Sequence, residues 1–142
     1  MFMKKVLFVL FSSITLVACS KSKGSSETPV TDDKPKGTVI ATAKITEGPV
    51  VGDKANGDAM IYNDNGTWKL YMSNFSSNNG PDLRVYLATN SSASSFINLG
   101  KLKATSGSQT YDIPGNPSLS NYKYVVIWCA QFSVYFGGGQ WQ

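Results

Sequence analysis

The stretch from Tyr122 to Gly137, YKYVVIWCAQFSVYFG, constrains this chain more than any other. It is the longest apolar run away from the N-terminus, and its β-branched and aromatic residues favour a strand over a helix. In an extended chain Tyr122, Tyr124, Val126 and Trp128 share one face, and Val125, Ile127 and Cys129 share the other. Both faces are apolar, which predicts a central strand covered on two sides. Gly137, Gly138 and Gly139 are expected to break it.

The rest of the chain reads as further short strands. Thr38–Ile45 is the first and Ala59–Tyr62 the second. Asn63-Asp64-Asn65-Gly66 is a strong turn signal, because Asn, Asp and Gly tolerate positive φ, and Thr67–Phe75 returns as the second arm of a hairpin with Trp68, Leu70 and Met72 on one face. Leu83, Val85 and Leu87 alternate with Arg84, Tyr86 and Ala88, a pattern that turns Arg84 outward. Phe96–Leu102 and Ser108–Ile113 are two more strands, with turns at 76–82, 90–95 and 114–117. No segment has helical periodicity. The expectation is an all-β domain, a single antiparallel β-sandwich or barrel of about eight short strands.

The N-terminus does not belong to that domain. Met1-Phe2-Met3-Lys4-Lys5 is a basic start, and Val6–Val17 is mainly apolar, interrupted by Ser12, Ser13 and Thr15, and too short to span a bilayer comfortably. Leu16-Val17-Ala18-Cys19 follows directly and resembles a bacterial lipobox. The resemblance implies that residues 1–18 are a lipoprotein signal peptide, that Cys19 is lipidated, and that the protein is anchored to membrane lipid in a bacterial cell envelope. Two or more acyl chains give stable anchoring where one is marginal. Residues 20–36, SKSKGSSETPVTDDKPK, cannot bury enough apolar surface to offset ordering and are expected as a disordered tether. As a flexible coil it spans roughly 20–25 Å. The β-domain then occupies 37–142.

Charge and residue usage exclude several functions. The formal charge is +4, and removal of Lys4 and Lys5 with the leader leaves +2, too little to argue for nucleic acid. The chain has no histidine, so imidazole metal sites, His general bases and Ser-His-Asp chemistry are absent. No phosphate loop, dinucleotide fingerprint, haem-attachment motif or cysteine cluster occurs, and no recognisable motif encodes a cofactor.

Few residues remain as candidates. Cys129 is the sole thiol of the domain once Cys19 is acylated, and an unpaired thiol in an exported protein is unusual. It is either a redox-active thiol or a small apolar residue packed in a strand. Asp82 and Arg84, one residue apart at a turn-to-strand junction, either bind a polar ligand or serve the turn and a solvated face. The aromatics, Trp128 among them, exceed what a small core needs, and exposed rings on a sheet can stack on sugars.

Three segments taken in order resemble a known family. They are Asn79–Leu87 (NGPDLRVYL), the pair LGKLK at 99–103 and GSQTYDIP at 107–114, and Val126–Gly137. Together they resemble the DM-thirteen domain, whose bacterial members often occur on lipoproteins, and the resemblance covers nearly all of 37–142. It implies an electron-transfer role, an envelope redox partner, and Cys129 as the redox residue. The family pattern has a His before the second strand where this chain reads Gly52-Asp53-Lys54-Ala55-Asn56-Gly57, so no Cys–His pair can form. Apart from electron transfer, the surplus aromatics and Ser/Asn-rich loops suit a non-catalytic binding domain for a glycan or a protein.

Overall fold

A computed structural model describes residues 29–142. The leader and Cys19 lie outside the described residues. Nine strands are present: β1 (Val30–Thr31), β2 (Thr38–Glu47), β3 (Ala55–Asp64), β4 (Thr67–Ser77), β5 (Leu83–Ala88), β6 (Phe96–Lys101), β7 (Ser106–Ile113), β8 (Tyr124–Cys129) and β9 (Val134–Gln140). The described residues contain no helix. The β3–β4 turn carries Asn65 at φ 51° and Gly66 at φ 88°, and Asn63 Oδ1 accepts the Gly66 amide at 2.9 Å. Two consecutive positive φ angles match the turn to the twist of the hairpin.

The strands form one sheet in the order β1-β7-β4-β3-β2-β9-β8-β5-β6. β2 is the joint. Its Thr38–Ile45 portion pairs with β3, while Thr46 and Glu47 pair with Gly138 and Gly137 of β9. The sheet curls there, so the inner faces of its two halves close on one core. Ile45, Ile61, Leu70 and Met72 come from one half; Val85, Leu87, Val125, Ile127 and Cys129 come from the other. Each large aliphatic side chain so buried contributes about 1.5–3 kcal/mol before entropy is counted.

The structure corrects the expected architecture in four places. Nine strands replace about eight. They form a single curled sheet, and β1 runs parallel to β7, so the sheet is mixed and not wholly antiparallel. The apolar run 122–137 is two strands, because Ala130–Ser133 turns with Ser133 at φ 54°. Tyr122 falls before β8 and packs on the inner core instead of sharing a face with Val126. The three glycines do not end a strand. They lie within β9, where a Cβ on Gly137 would overlap the Ala55 carbonyl oxygen and one on Gly139 the Lys44 carbonyl oxygen. Glycine in a strand interior here allows close backbone approach, not a break.

The segment expected as a tether is also paired at its end. Asp32 N donates to Ser108 O at 2.9 Å, and the Asp32 carboxylate accepts Lys103 Nζ at 2.6 Å and the Thr110 amide at 2.9 Å. The Lys103 hydrogen bond leads in holding the Asp32 carboxyl below its ordinary value of 3.8. A depressed carboxylate pKa contributes stability that is present above the ordinary value and is lost as pH falls through the depressed one. Order parameters of the Val30–Asp32 amides are therefore expected to stay high at neutral pH and to drop below pH 3.8 in the wild type. Asp32→Asn should show lowered values at every pH. A β1 that stays ordered in Asp32→Asn would remove the role given to this carboxylate.

Candidate functional site

β8 presents its two apolar faces to two different clusters. Val125, Ile127 and Cys129 point into the main core, while Val126 joins Tyr86, Ala88 and Ala93 in an outer cluster flanked by Tyr124, Trp128 and Tyr135. The outer cluster forms because the 89–95 loop lies back over the sheet. Thr89 N donates to Ser95 O at 2.9 Å, and Ala93 N to Asn90 O at 3.1 Å. Tyr86 and Phe96 stack with ring centroids 4.0 Å apart.

Cys129 is free and 1% exposed. It stands opposite Leu83 of β5 and Val134 of β9 and lies in the same core as Phe136. An attacking reagent or a second thiol has no open path to a sulfur buried to that degree. Packing of this kind suits a small apolar side chain. Cys129→Ala should therefore cost roughly 1–2 kcal/mol, the lower end of large-to-small core changes. Cys129→Ser should cost more than Ala, because its hydroxyl loses water without gaining a partner. Urea unfolding of the three proteins under reducing conditions measures the order, and equal stability of all three would contradict it.

The other candidates gather on the outer face. Arg84 stands opposite Trp128, and Trp128 opposite Tyr135, so one cross-strand row runs over β5, β8 and β9. Arg84 donates from Nε to Asp82 Oδ1 at 2.7 Å and from its terminal nitrogen to Asp82 Oδ2 at 3.2 Å. This two-point pair lowers the Asp82 pKa and raises that of Arg84, in each case chiefly through the side-chain hydrogen bond. Asp82 and Arg84 thus hold each other, and the Asp82 carbonyl accepts the Ala130 amide at 2.9 Å, which ties this turn to the β8–β9 turn. Beside Trp128 a groove of about 330 Å³ is lined by Pro49, Val50, Ser91, Ser92, Ser133, Val134 and Tyr135. Burial pushes the Tyr135 phenol up from its ordinary value, further from ionisation.

One polar site went unread in the sequence. Gln109 is fully buried. Its Oε1 accepts the Tyr111 hydroxyl at 2.7 Å, the Lys103 amide at 3.2 Å and the Ala104 amide at 3.4 Å, and its Nε2 donates to Ala104 O at 2.7 Å. Burial pushes the Tyr111 hydroxyl up to about 12, which keeps its proton available to donate. The available signal was alternation, since Gln109 shares the inward face with Tyr111 and Ile113. The network clamps the 102–105 turn, whose Leu102, Ala104 and Thr105 line a pocket of about 120 Å³ with Asp82 and Leu83.

Among the described residues no group of three or more His, Cys, Asp or Glu side chains could hold a metal ion. No described helix is long and apolar enough to cross a membrane. The profile of a family described as Electron transfer DM13 matches residues 51–139, more than half of the chain. The matched span includes Cys129, the Arg84–Trp128–Tyr135 row and Gln109. No curated protein and no solved structure matches the chain.

Proposed function

From the premise that this chain belongs to the DM13 electron-transfer family, we propose that it is an electron-transfer accessory domain of the bacterial cell envelope, held to membrane lipid through Cys19. The family match carries the electron-transfer part of this reading, because it spans β3 to β9 and so includes the greater part of the β-domain, and Leu16-Val17-Ala18-Cys19 is what supports the anchor. Cys129 is the one cysteine in the matched span and is the redox residue of this proposal. Since its sulfur is shut away at rest, exchange with an envelope redox partner requires the β8–β9 hairpin to open. Local opening of that kind costs less than global unfolding.

The test is the rate of thiol labelling in native protein. Labelling of Cys129 is expected to be slow, to saturate with reagent concentration as opening becomes limiting, and to be complete in denaturant. A native thiol that stays unlabelled while partner reduction survives Cys129→Ala would end the Cys129 version. For the anchor, Cys19→Ala should block lipid attachment and the cleavage that depends on it, so that the variant keeps its precursor size. Mature-sized Cys19→Ala recovered with membranes would contradict lipidation.

A second reading keeps Cys129 as a packing residue and makes the domain a non-catalytic binder of a glycan or protein. The observation that favours it is the groove at Trp128 and Tyr135, with Ser91, Ser92 and Ser133 around it. An aromatic wall with hydroxyl neighbours can stack a sugar ring and bond its hydroxyls. Trp fluorescence titration with envelope oligosaccharides is expected to saturate under this reading, and an unchanged spectrum would count against it.

A further inference from the structure

The strand directions place the start of the described chain at a particular end of the domain. β2 runs down to Glu47 and β3 leaves upward from Ala55, so the 48–54 loop is at the lower end. β8 runs down to Cys129 and β9 leaves from Val134, which puts the 130–133 turn at the same end. β1 is parallel to β7, and Val30 pairs with Gly107 near the lower end of β7. Residues 1–28 therefore join the domain from the end that carries both loops.

That end is apolar at one corner. Val51 is 96% exposed, Phe132 65% and Val50 43%, and all three are on loop tips. Gly48 N donates to Phe136 O at 2.9 Å, which joins the start of the first loop to β9. Trp128 and Tyr135 lie just above, lining the groove with Pro49 and Val50. The other large exposed apolar residues, Val39, Ile40 and Phe96, are on strands, and Phe96 is covered on one side by Tyr86. Two charges lie on the 48–54 loop: Lys54, whose Nζ is 2.8 Å from Glu47 Oε2, and Asp53. Apolar tips under a belt of Trp and Tyr form the pattern of a surface that enters a bilayer interface, where amphipathic aromatic rings sit at headgroup depth.

We propose that this corner docks on the lipid bilayer, with Val50, Val51 and Phe132 inserted and Trp128 and Tyr135 at the headgroup level. The proposal rests on the anchoring through Cys19 proposed above, and it adds that the domain stands on the membrane in one orientation instead of swinging on its tether. The occupant is lipid and not a second protein because the chain outside the described residues leads from the proposed anchor to this same end. Anchoring also raises the effective concentration of the bilayer at the corner, so modest insertion suffices.

The mature full-length protein is reconstituted in phosphatidylethanolamine–phosphatidylglycerol vesicles containing doxyl-labelled lipid. An environment-sensitive fluorophore is attached under native conditions to Val51→Cys or, separately, to Ser120→Cys, an exposed residue of the loop at the opposite end. The expected result is blue-shifted emission and doxyl quenching at position 51, with neither at position 120. Val50→Asp combined with Phe132→Asp should abolish the shift at 51 while the protein still sediments with the vesicles. Sedimentation with identical spectra at 51 and 120 would overturn the docking and leave the anchor standing. Quenching at both positions would overturn the orientation. A shift at 51 that ignores doxyl lipid and grows with protein concentration would mean a second copy occupies the corner. Failure to sediment at all would remove the anchor and the docking with it.

Discussion

Gly137→Val is expected to abolish folding of this domain, or to remove on the order of 4–5 kcal/mol, a large share of the roughly 5–15 kcal/mol that holds a domain folded. Gly137 pairs with Ile127 of β8 on one side and Glu47 of β2 on the other. A Cβ there would overlap the Ala55 carbonyl oxygen and lie 2.7 Å from the Thr46 carbonyl oxygen. Both obstacles are backbone, so no side-chain rotation relieves them, and moving either strand opens the joint about which the sheet curls. Overpacked sites usually cost about 1–3 kcal/mol, but those sites can shift side chains. Gly66→Ala is the control for glycine content alone. Nothing lies near a Cβ at Gly66, and the cost there is limited to its φ of 88°. Denaturant unfolding of the two variants should separate them widely. A Gly137→Val protein within about 1 kcal/mol of wild type would mean the joint yields far more readily than a packed interior does.

Gln109→Ala is expected to cost about 3–5 kcal/mol. The change strands the Ala104 carbonyl and amide and the Tyr111 hydroxyl without the partner they have now. Each unsatisfied buried group costs roughly 1–3 kcal/mol, and the side-chain void adds to that. The Lys103 amide keeps its second partner, the Tyr111 oxygen at 3.0 Å, which bounds the loss. Gln109→Glu is the sharper probe because it preserves shape. A protonated Glu can still donate to Ala104 O, but an ionised one cannot, and it would be a buried charge. Its folded-state pKa is therefore raised above the unfolded value of about 4.3. A raised pKa means the full stability is present below the unfolded value and is lost as pH rises through the folded one. Relative to wild type, Gln109→Glu should be least stable at neutral pH and recover as pH falls toward about 4. A pH-independent difference between the two proteins would show that the side chain does not make these bonds.

The two predictions differ in how far the sequence announced them. Gln109 was readable in principle: it falls in register with Tyr111 and Ile113 on an alternating strand, and a polar residue at an inward position needs partners. What the alternation could not supply was the partner, because Lys103 and Ala104 belong to a turn whose path depends on β6 and β7 standing near one another. The glycine triplet was misread for a related reason. Gly-Gly-Gly locally signals a stop, and only the crossing of β2, β3 and β9 makes it a strand interior.

Local chemistry by itself determined most of β2 to β8, the Asn65–Gly66 turn, the opposed faces of Val125/Ile127/Cys129 and Val126/Trp128, and the outward Arg84. Each follows from alternation or from a backbone preference that acts within a few residues. The same apolar alternation put Cys129 on the face of Val125 and Ile127 but left open whether that sulfur is buried or reached by a cavity. Tertiary structure alone decided that the strands make one curled sheet, since strand order depends on pairings between segments far apart in the chain and not on any local pattern. It decided that Val30–Asp32 closes on β7, and that Asp82 and Arg84 pair with each other. It also decided that Val51 and Phe132, separated by 81 positions, share the end from which the preceding chain arrives. Apolar loop tips carry no periodic signal, and only the antiparallel order of β2, β3, β8 and β9 brings them to one corner.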